Sequence, residues 1–339
     1  MNKYLSVYLT IIVLLSACNK PIIKVPERAE IEKAEIGFSM DSIVIERWQR
    51  DRDVFISNVK EYGMKVNFQN AHGNAEEQIR QIEYLIREEV SVLVVVARDA
   101  DKLTDVINKA KNSGIKVIAY DRIIKNARMD LYISFDSEKV GILMADAMNQ
   151  TLPPGSKVFL AMGSNVDENV AQVEKGIKKT LKKKLEIAET TYAENWEAER
   201  SAVYVSDYLK KNKNIHGIIC GNDELAGEVI RVLSENRIAG KTIVVGQDAD
   251  IAGCQRLVEG TQYMTVHKAF DPMAKEAALA AVSMVNGEMY TVDETYFNGT
   301  FQIPYKKYEP VAVTKSNLKK IIIDSGFHLE DDIFLIDKR

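Results

Sequence analysis

Ile36-Gly37-Phe38-Ser39-Met40 is a short apolar run that predicts a first strand, and Ile45-Glu46-Arg47-Trp48-Gln49-Arg50-Asp51-Arg52-Asp53, just beyond it, predicts the beginning of a first helix. In open α/β sheets, ligands lie beyond the carboxyl ends of the strands. The adjacent Arg47 and Trp48 therefore stand where a hydrogen-bond donor and an aromatic platform would meet a small polar ligand. The same stretch is also typical of a solvated helix face with one partly buried tryptophan, so the rest of the chain has to distinguish the two interpretations.

The pattern that begins with this strand and helix repeats along the chain. Short apolar runs alternate with longer stretches of helical periodicity, which predicts parallel strands joined by crossover helices, a doubly wound α/β sheet. The pattern restarts after Pro153-Pro154-Gly155, so we predict two such lobes with a cleft between them. The predicted strands are residues 35–40, 64–69, 91–96, 115–120, 131–134, 157–162, 187–192, 216–220, 242–245 and 263–266. The predicted helices are residues 45–62, 75–88, 102–113, 136–150, 196–211, 223–235, 251–259 and 270–285, with one more that begins near Val166.

The composition fits a folded protein of two domains and argues against a nucleic-acid partner. A chain of 339 residues is too long for one ordinary core. A formal net charge of -4 is the opposite of what a phosphate-binding surface requires.

The first residues predict the compartment. Lys3 precedes an apolar run over residues 4–15 that is too short to cross a membrane, and Leu15-Ser16-Ala17-Cys18 supplies a small-residue cleavage site. This segment resembles a bacterial lipobox, so residues 1–18 are interpreted as a lipoprotein signal peptide that ends at the lipidated Cys18. The alternative is an ordinary secretory signal with an incidental cysteine. Residues 19–33, with Pro21 and Pro26, are interpreted as a tether that holds the protein at a membrane.

Polar clusters follow the predicted strands, each where a strand ends. A sugar hydroxyl both donates and accepts hydrogen bonds, so a sugar site needs fixed donors, fixed acceptors and apolar surfaces for the faces of the ring. Trp48 and Trp196, the two tryptophans of the chain, would supply those surfaces. Asn and Asp at such positions are also favoured helix N-caps, which explains the clusters singly but not the tryptophans. The clusters are Arg47-Trp48, Asp121-Arg122, residues 163–169, Asn195-Trp196, Gly221-Asn222-Asp223, residues 246–250 and His267-Lys268.

The remaining reactive residues form no catalytic or metal-binding pattern. The four histidines lack metal-ligand spacing, and His267 is interpreted as a structural residue and not as a base. Gly240-Lys241-Thr242 is not a phosphate-binding loop, because Glu235 stands where that loop opens with glycine. Cys220 and Cys254 are interpreted as small buried hydrophobes, with a disulfide between them left open. An enzyme would need a positioned acid–base pair, which the sequence does not offer.

Long segments spread over nearly the whole chain after the tether carry a specific resemblance. They are residues 45–53, 119–122, 132–141, 166–169, 221–223, 246–253 and 260–268. Together they resemble the D-xylose-binding members of the type I periplasmic binding protein family, relatives of ribose and galactose receptors and of the effector domains of LacI-type repressors. A repressor would carry a helix-turn-helix before Ile36, where this chain has a signal and a tether.

The resemblance implies two lobes that close on a sugar. It implies a first lobe of residues 34–136 with 268–298, a second lobe of residues 137–267 with 299–339, and hinge crossings near Asp136, His267 and Gly299. It also implies that Trp48 and Trp196 sandwich a pyranose ring. The residues that would hydrogen-bond the hydroxyls of that ring are Arg47, Arg122, Asp167, Asn169, Asn222, Asp248 and Lys268.

One loop departs from the family pattern. Ala97-Arg98-Asp99-Ala100 stands where transport receptors of this group often carry a Pro-containing loop. Arg98, Asp99 and Asp121 are therefore candidates for the rim of the cleft, and Arg98 could reach the ligand or a partner. Residues 50–53 are interpreted as a solvated helix face.

The function expected from the sequence is a non-catalytic, lipid-anchored extracytoplasmic receptor for D-xylose, without a cofactor or a metal. Its partner is expected to be an ABC sugar permease or the extracytoplasmic domain of a sensor histidine kinase, since both respond to lobe closure. A receptor for another monosaccharide of the ribose, glucose or galactose type is the alternative. A LacI-type effector domain and a pentose-acting enzyme are more distant alternatives.

Overall fold

Two separate β-sheets organise the protein. The computed structural model describes residues 35–181, 184–212 and 214–334; the predicted signal peptide, the lipidation site Cys18 and the tether lie outside these residues. The strands are β1 (Glu35–Met40), β2 (Lys65–Asn70), β3 (Val92–Val96), β4 (Lys116–Tyr120), β5 (Leu131–Phe135), β6 (Lys157–Met162), β7 (Glu186–Tyr192), β8 (Gly217–Cys220), β9 (Ile243–Gln247), β10 (Met264–His267), β11 (Glu294–Phe297), β12 (Gln302–Tyr308) and β13 (Val311–Thr314).

The strand order confirms two doubly wound α/β lobes. The first sheet runs β11-β12-β5-β4-β3-β1-β2, and the second runs β13-β10-β9-β8-β6-β7. Neighbouring strands are parallel except at one edge of each sheet, where β11 and β13 are antiparallel to their neighbours. Strand β3 reads Val-Leu-Val-Val-Val and is buried throughout, as expected at the centre of a parallel sheet covered on both faces.

Helices cover the faces of both sheets. They are α1 (Glu46–Glu61), α2 (Ala75–Arg87), α3 (Thr104–Asn112), α4 (Ser137–Thr151), α5 (Glu168–Thr180), α6 (Ala198–Lys211), α7 (Asp223–Glu235), α8 (Ile251–Glu259), α9 (Phe270–Val285) and α10 (Glu330–Phe334). Helix α9 follows a strand of the second sheet but returns to the first lobe, where Phe270 and Met273 share a core with Phe38 and Phe55. In the described part of the chain, no helix is both long and apolar enough to span a membrane.

The chain passes between the lobes after β5, after β10 and after β12. The expectation that the last crossing lies near Gly299 is wrong. Strand β12 still pairs with β5 of the first sheet, and the chain enters the second sheet only at β13. The physical reason is burial, because Ile303 and Tyr305 belong to the first-lobe core, where the Tyr305 ring stacks on Tyr132 at 4.7 Å between centroids.

Candidate functional site

One cavity lies between the carboxyl ends of the two sheets, and every side chain predicted to contact the ligand lines it. These residues are Arg47, Trp48, Arg122, Asp167, Asn169, Trp196, Asn222, Asp248 and Lys268. The remaining lining residues are Ile45, Asp121, Phe135, Ser137, Met162, Val170, Val173, Gly221 and Gln247. Parallel strands direct their carboxyl ends to the same edge, which is why residues so distant in sequence meet here.

Arg47 is fixed on the first lobe by aromatic rings and carboxylates. Its guanidinium carbon lies 4.3 Å from the ring centroid of Trp48 and 4.5 Å from that of Phe270. Its Nε donates to Asp51 at 3.1 Å, and its terminal nitrogen pairs with Asp121. Arg47 and Trp48 are each only 4% exposed, so both side chains are held in place before they meet a ligand.

The interpretation of residues 50–53 as a solvated face is wrong for Asp51 and Arg50. Asp51 is 1% exposed and accepts a hydrogen bond from the Tyr120 hydroxyl at 3.0 Å. Burial raises the pKa of Asp51 to about 6, although the charge of Arg47 opposes this shift. Arg50 is partly buried and pairs with Asp271 of helix α9 at 2.7 Å.

Arg122 and Asp121 connect the lobes. Arg122 lies 2.6 Å from Asp41 of its own lobe and 2.8 Å from Asp167 of the second lobe. Burial lowers the pKa of the Arg122 guanidinium, but the two carboxylates outweigh burial and raise it. The Asn169 amide donates to the Asp121 carboxylate at 2.9 Å. Asp121, predicted at the rim, therefore lies in the wall of the cavity and takes part in a contact across the cleft.

Helix capping and cavity lining coincide on the second lobe. Asp167 caps α5 by accepting from the Asn169 backbone N–H at 3.0 Å, and Asn222 caps α7 by accepting from the Leu225 N–H at 2.9 Å. The capping interpretation is therefore correct for these two residues; Asp167 Oδ2 pairs with Arg122, whereas Asn222 Nδ2 has no hydrogen-bond partner among the described residues. Capping also fixes both side chains relative to the sheet.

The loop that carries Asp248 is supported by a buried carboxylate. Asp223 accepts from Thr265 Oγ1 at 2.8 Å, from Gln262 Nε2 at 2.7 Å and from the backbone N–H of Asp250 at 3.1 Å. Burial raises the pKa of Asp223 to about 7. Asp248 itself lies 2.7 Å from the ammonium of Lys268.

Trp196 forms the second aromatic wall and stands on a strained turn. Asn195 and Trp196 have φ values of 56° and 61°, in the left-handed region that a bulky residue rarely adopts. The indole packs directly on Gly163 and Gly221, where an added Cβ would lie 2.3 Å and 3.2 Å from ring carbons. Only glycine at residue 163 leaves room for the ring in this position.

Three buried polar atoms of cavity residues have neither a hydrogen-bond nor an ion-pair partner within the described ranges. They are Trp196 Nε1, Asn169 Oδ1 and Asn222 Nδ2. Buried polar groups are normally paired, because an unpaired one loses its hydration without compensation. Two donors and one acceptor beside two indole rings suit a ligand rich in hydroxyl groups.

The structure separates the other two rim candidates from the cavity lining. The Asp99 carboxylate accepts from the backbone N–H groups of Asp101 and Lys102 at 3.0 Å, so it shapes its own loop. Arg98 does not line the cavity either; it reaches across the cleft to the side chain of Asn195.

Asp41, Asp51 and Gln247 are site or supporting residues that the sequence reasoning missed. Asp41 directly follows β1, and Gln247 ends β9, so both stand at strand ends that the reasoning had already selected. Asp51 follows Arg47 by four residues, the spacing at which helical side chains meet. These signals were present in the sequence but were shared with many solvent-exposed residues.

Neither the cysteines nor the histidines form a reactive centre in the described part of the chain. Cys220 and Cys254 are free and buried, and burial raises the pKa of both thiols. No group of His, Cys, Asp and Glu among the described residues is placed to hold a metal ion. His267 is buried against Phe327, with ring centroids 4.5 Å apart.

His267 is expected to make stability depend on pH. Burial, reinforced by His328 and Arg50, lowers the pKa of His267 from 6.5 to about 4, so the folded protein binds this proton more weakly than the unfolded chain does. This contribution to stability is therefore present above pH 6.5 and is lost as the pH falls towards 4. His267→Gln is expected to lose less stability over that interval, as measured by urea midpoints at several pH values. If the urea midpoints of wild type and His267→Gln fall in parallel as the pH is lowered, His267 is not the source of the pH dependence.

The fold and the cavity define a class of protein, and comparison with known proteins agrees. Residues 36–289 match the family described as "Periplasmic binding protein domain". The chain belongs to this family.

Particular relatives are similar over nearly their full length. The chain is 38% identical to the D-xylose-binding periplasmic protein of Escherichia coli (strain K12), with 95% of this chain and 98% of the relative covered. It is 38% identical to the protein of the same description from Haemophilus influenzae, with 90% and 94% covered. Among solved structures, an ABC transporter solute binding protein from Clostridium phytofermentans with bound β-D-glucose superposes with a TM-score of 0.79 at 26% identity, with 88% and 99% covered. These relatives are binding proteins and not enzymes.

Proposed function

We propose that the protein is an extracytoplasmic receptor that binds D-xylose in the cavity between its lobes and signals occupancy by closing. The observation that carries this proposal is the pairing of two indole walls, Trp48 and Trp196, with charged donors and acceptors from both lobes around one cavity. The 38% identical relatives described as D-xylose-binding support the choice of sugar.

The polar groups are sufficient in kind and number for useful affinity. A hydrogen bond to a charged group contributes about 1.5 to 3 kcal/mol. Several such bonds from Arg47, Arg122, Asp248 and Lys268, together with two stacked faces, support binding near -8 kcal/mol, roughly micromolar affinity, after association costs are subtracted.

The residues that connect the two lobes across the cleft also line the ligand cavity. Arg122 meets Asp167, and Asn169 meets Asp121, across the cleft and inside the cavity. A sugar that completes the hydrogen bonds of both lobes at once stabilises the closed arrangement more than the open one, which is the requirement for a ligand to shift a conformational equilibrium.

The receptor is lipid-anchored and reports its occupancy to a protein in the membrane. Leu15-Ser16-Ala17-Cys18 supports lipidation at Cys18, and residues 19–33 would then tether the binding domain to the cell membrane. A membrane protein that contacts both lobes, either an ABC permease or a sensor kinase, would read the closed form.

A thermal-shift panel of pentoses and hexoses tests the choice of ligand. D-xylose is expected to raise the melting temperature more than ribose, arabinose, glucose or galactose at equal concentration, because bound ligand stabilises the folded state by mass action. A larger shift with glucose, the sugar in the 26% identical structure, would replace xylose while leaving the receptor function in place. No shift with any sugar would contradict the receptor function itself.

A further inference from the structure

We propose that Arg98 is a positioning residue for the sugar site, one that sets the Trp196 wall when the lobes close. Arg98 belongs to the first lobe and does not line the cavity, whereas Trp196 belongs to the second lobe and does. The contact between them is indirect, because Arg98 holds the side chain of Asn195, the residue just before Trp196. The inference rests on the proposed sugar-binding function and adds a residue to it.

The Arg98 side chain is anchored firmly on its own lobe. Its Nε donates to the Gly73 carbonyl at 2.8 Å and lies 3.5 Å from Asp41 Oδ1. Its backbone N–H donates to the buried Gln78 amide at 2.8 Å. Arg98 is 8% exposed, so its guanidinium projects from a fixed base and not from a flexible surface chain.

The far end of Arg98 meets the second lobe at two points. One terminal nitrogen binds Asn195 Oδ1, and the other lies 3.5 Å from Ser164 Oγ. Ser164 follows Gly163, the residue on which the Trp196 indole packs. Arg98 therefore contacts two segments that position the indole: the loop of Gly163 and Ser164, on which the ring packs, and the Asn195–Trp196 turn, which carries the ring.

The turn that Arg98 contacts is strained and depends on support from its surroundings. Asn195 and Trp196 both have left-handed backbone conformations. Such conformations persist only where the surroundings determine them. In an open receptor Arg98 is separated from Asn195, so the turn loses this support, and closure restores it. The indole wall then reaches its binding position as the cleft closes.

A neighbouring ion pair across the cleft provides a matched control. Lys125 Nζ lies 2.9 Å from Glu168 Oε2, so it also connects the lobes, but it pairs with Glu168 and Asp101 and, within the described residues, not with the Asn195–Trp196 turn. If Arg98 only favoured closure, loss of Arg98 and loss of Lys125 would have the same kind of effect. If Arg98 positions Trp196, only its loss changes the environment of the indole.

The test combines titration calorimetry with ¹⁹F NMR of protein containing 4-fluorotryptophan. Because the chain has two tryptophans, the spectrum has two signals, and Trp48→Phe assigns them. Fluorine at ring carbon 4 avoids the carbons Cη2, Cζ2 and Cζ3, which contact Gly163. The proteins compared at saturating D-xylose are wild type, Arg98→Ala, Asn195→Gly and Lys125→Ala. Asn195→Gly removes the acceptor from an exposed position while glycine keeps the left-handed backbone, so this variant is expected to fold even where Arg98→Ala does not.

Arg98→Ala and Asn195→Gly are each expected to weaken D-xylose binding about tenfold and to shift or broaden the Trp196 signal, and the double variant to be no weaker than either single one. Lys125→Ala is expected to change affinity less and to leave the Trp196 signal at its wild-type position. A Trp196 signal that is unchanged in both Arg98→Ala and Asn195→Gly, or that moves equally in Lys125→Ala, overturns the inference. A wild-type protein that binds no D-xylose contradicts the proposed ligand instead; the signals are then compared with the sugar that the thermal-shift panel identifies.

Discussion

Asp248→Ala is expected to weaken D-xylose binding at least tenfold, a loss of about 1.4 kcal/mol or more. Asp248 and Lys268 lie 2.7 Å apart and are 5% and 8% exposed. Removal of the carboxylate takes away a charged acceptor for a sugar hydroxyl and leaves the Lys268 ammonium buried without this partner, which is costly in a dry site. Asp248→Asn keeps the shape and the positive φ of 97° and is expected to give an intermediate loss. Titration calorimetry measures both variants.

Asp250→Ala is the matched control for this prediction. Asp250 lies on the same loop but does not line the cavity. Burial, together with the carboxylates of Asp223 and Asp248, raises the pKa of Asp250 well above its usual range, so the folded protein disfavours its charged form. We expect the affinity of Asp250→Ala for D-xylose to stay within about twofold of wild type. Equal losses in Asp248→Ala and Asp250→Ala would attribute the effect to the loop and not to the carboxylate; unchanged affinity in Asp248→Ala would reject the site assignment.

Trp196→Ala is also expected to weaken binding at least tenfold, because it removes one of the two apolar faces expected to enclose the sugar ring.

Gly163→Ala tests the same indole wall through the glycine on which it packs. Its added Cβ would lie 2.3 Å from an indole carbon, where carbon atoms in contact are about 3.5 to 4 Å apart. The indole must therefore leave its position in the cavity wall, and we expect Gly163→Ala to lose at least as much affinity as Trp196→Ala.

The double variant Gly163→Ala with Trp196→Ala tests whether Gly163→Ala acts by displacing the indole or by disturbing the fold. Without the indole, the three ring carbons that the added methyl group would meet first are absent, so the double variant is expected to bind like Trp196→Ala alone. Thermal melts monitored by circular dichroism confirm that each variant is folded. Additive losses in the double variant would mean that Gly163 matters to the fold for a reason unrelated to Trp196.

The sequence predicted the elements that periodicity and strand ends encode. The alternation of apolar runs and helical stretches identified β1 to β10 within a few residues, and the residues at their ends turned out to line one cavity. Strands β11 and β13 were missed because they are four-residue strands at the sheet edges, and β12 was missed because it carries Pro304 and pairs with β5, which lies far away in the chain. Their place depends on tertiary packing that no local pattern contains.

The supporting residues were the least predictable part of the site. Asp51 sits in a run of alternating charges that is typical of a solvated helix, and only its pairing with Tyr120, 69 residues away, shows that it is buried. Arg98 was singled out by the sequence, but as a ligand or partner contact. Its actual partner, Asn195, lies 97 residues further along and on the other lobe.

Glu309 and Pro310 are the whole connection between β12 and β13, and only Asp136 separates β5 from α4. Proline fixes its own φ, so rotation at this connection is limited to a few backbone angles. Together with the crossing after β10, these are three short connections that lie side by side. They leave the lobes one easy axis of rotation. Around such an axis the lobes act as levers, and a given rotation moves the surfaces farthest from residues 309–310 by the greatest distance. A membrane partner that grips those distal surfaces would receive the largest displacement for each sugar bound, and one that grips near the axis would receive almost none.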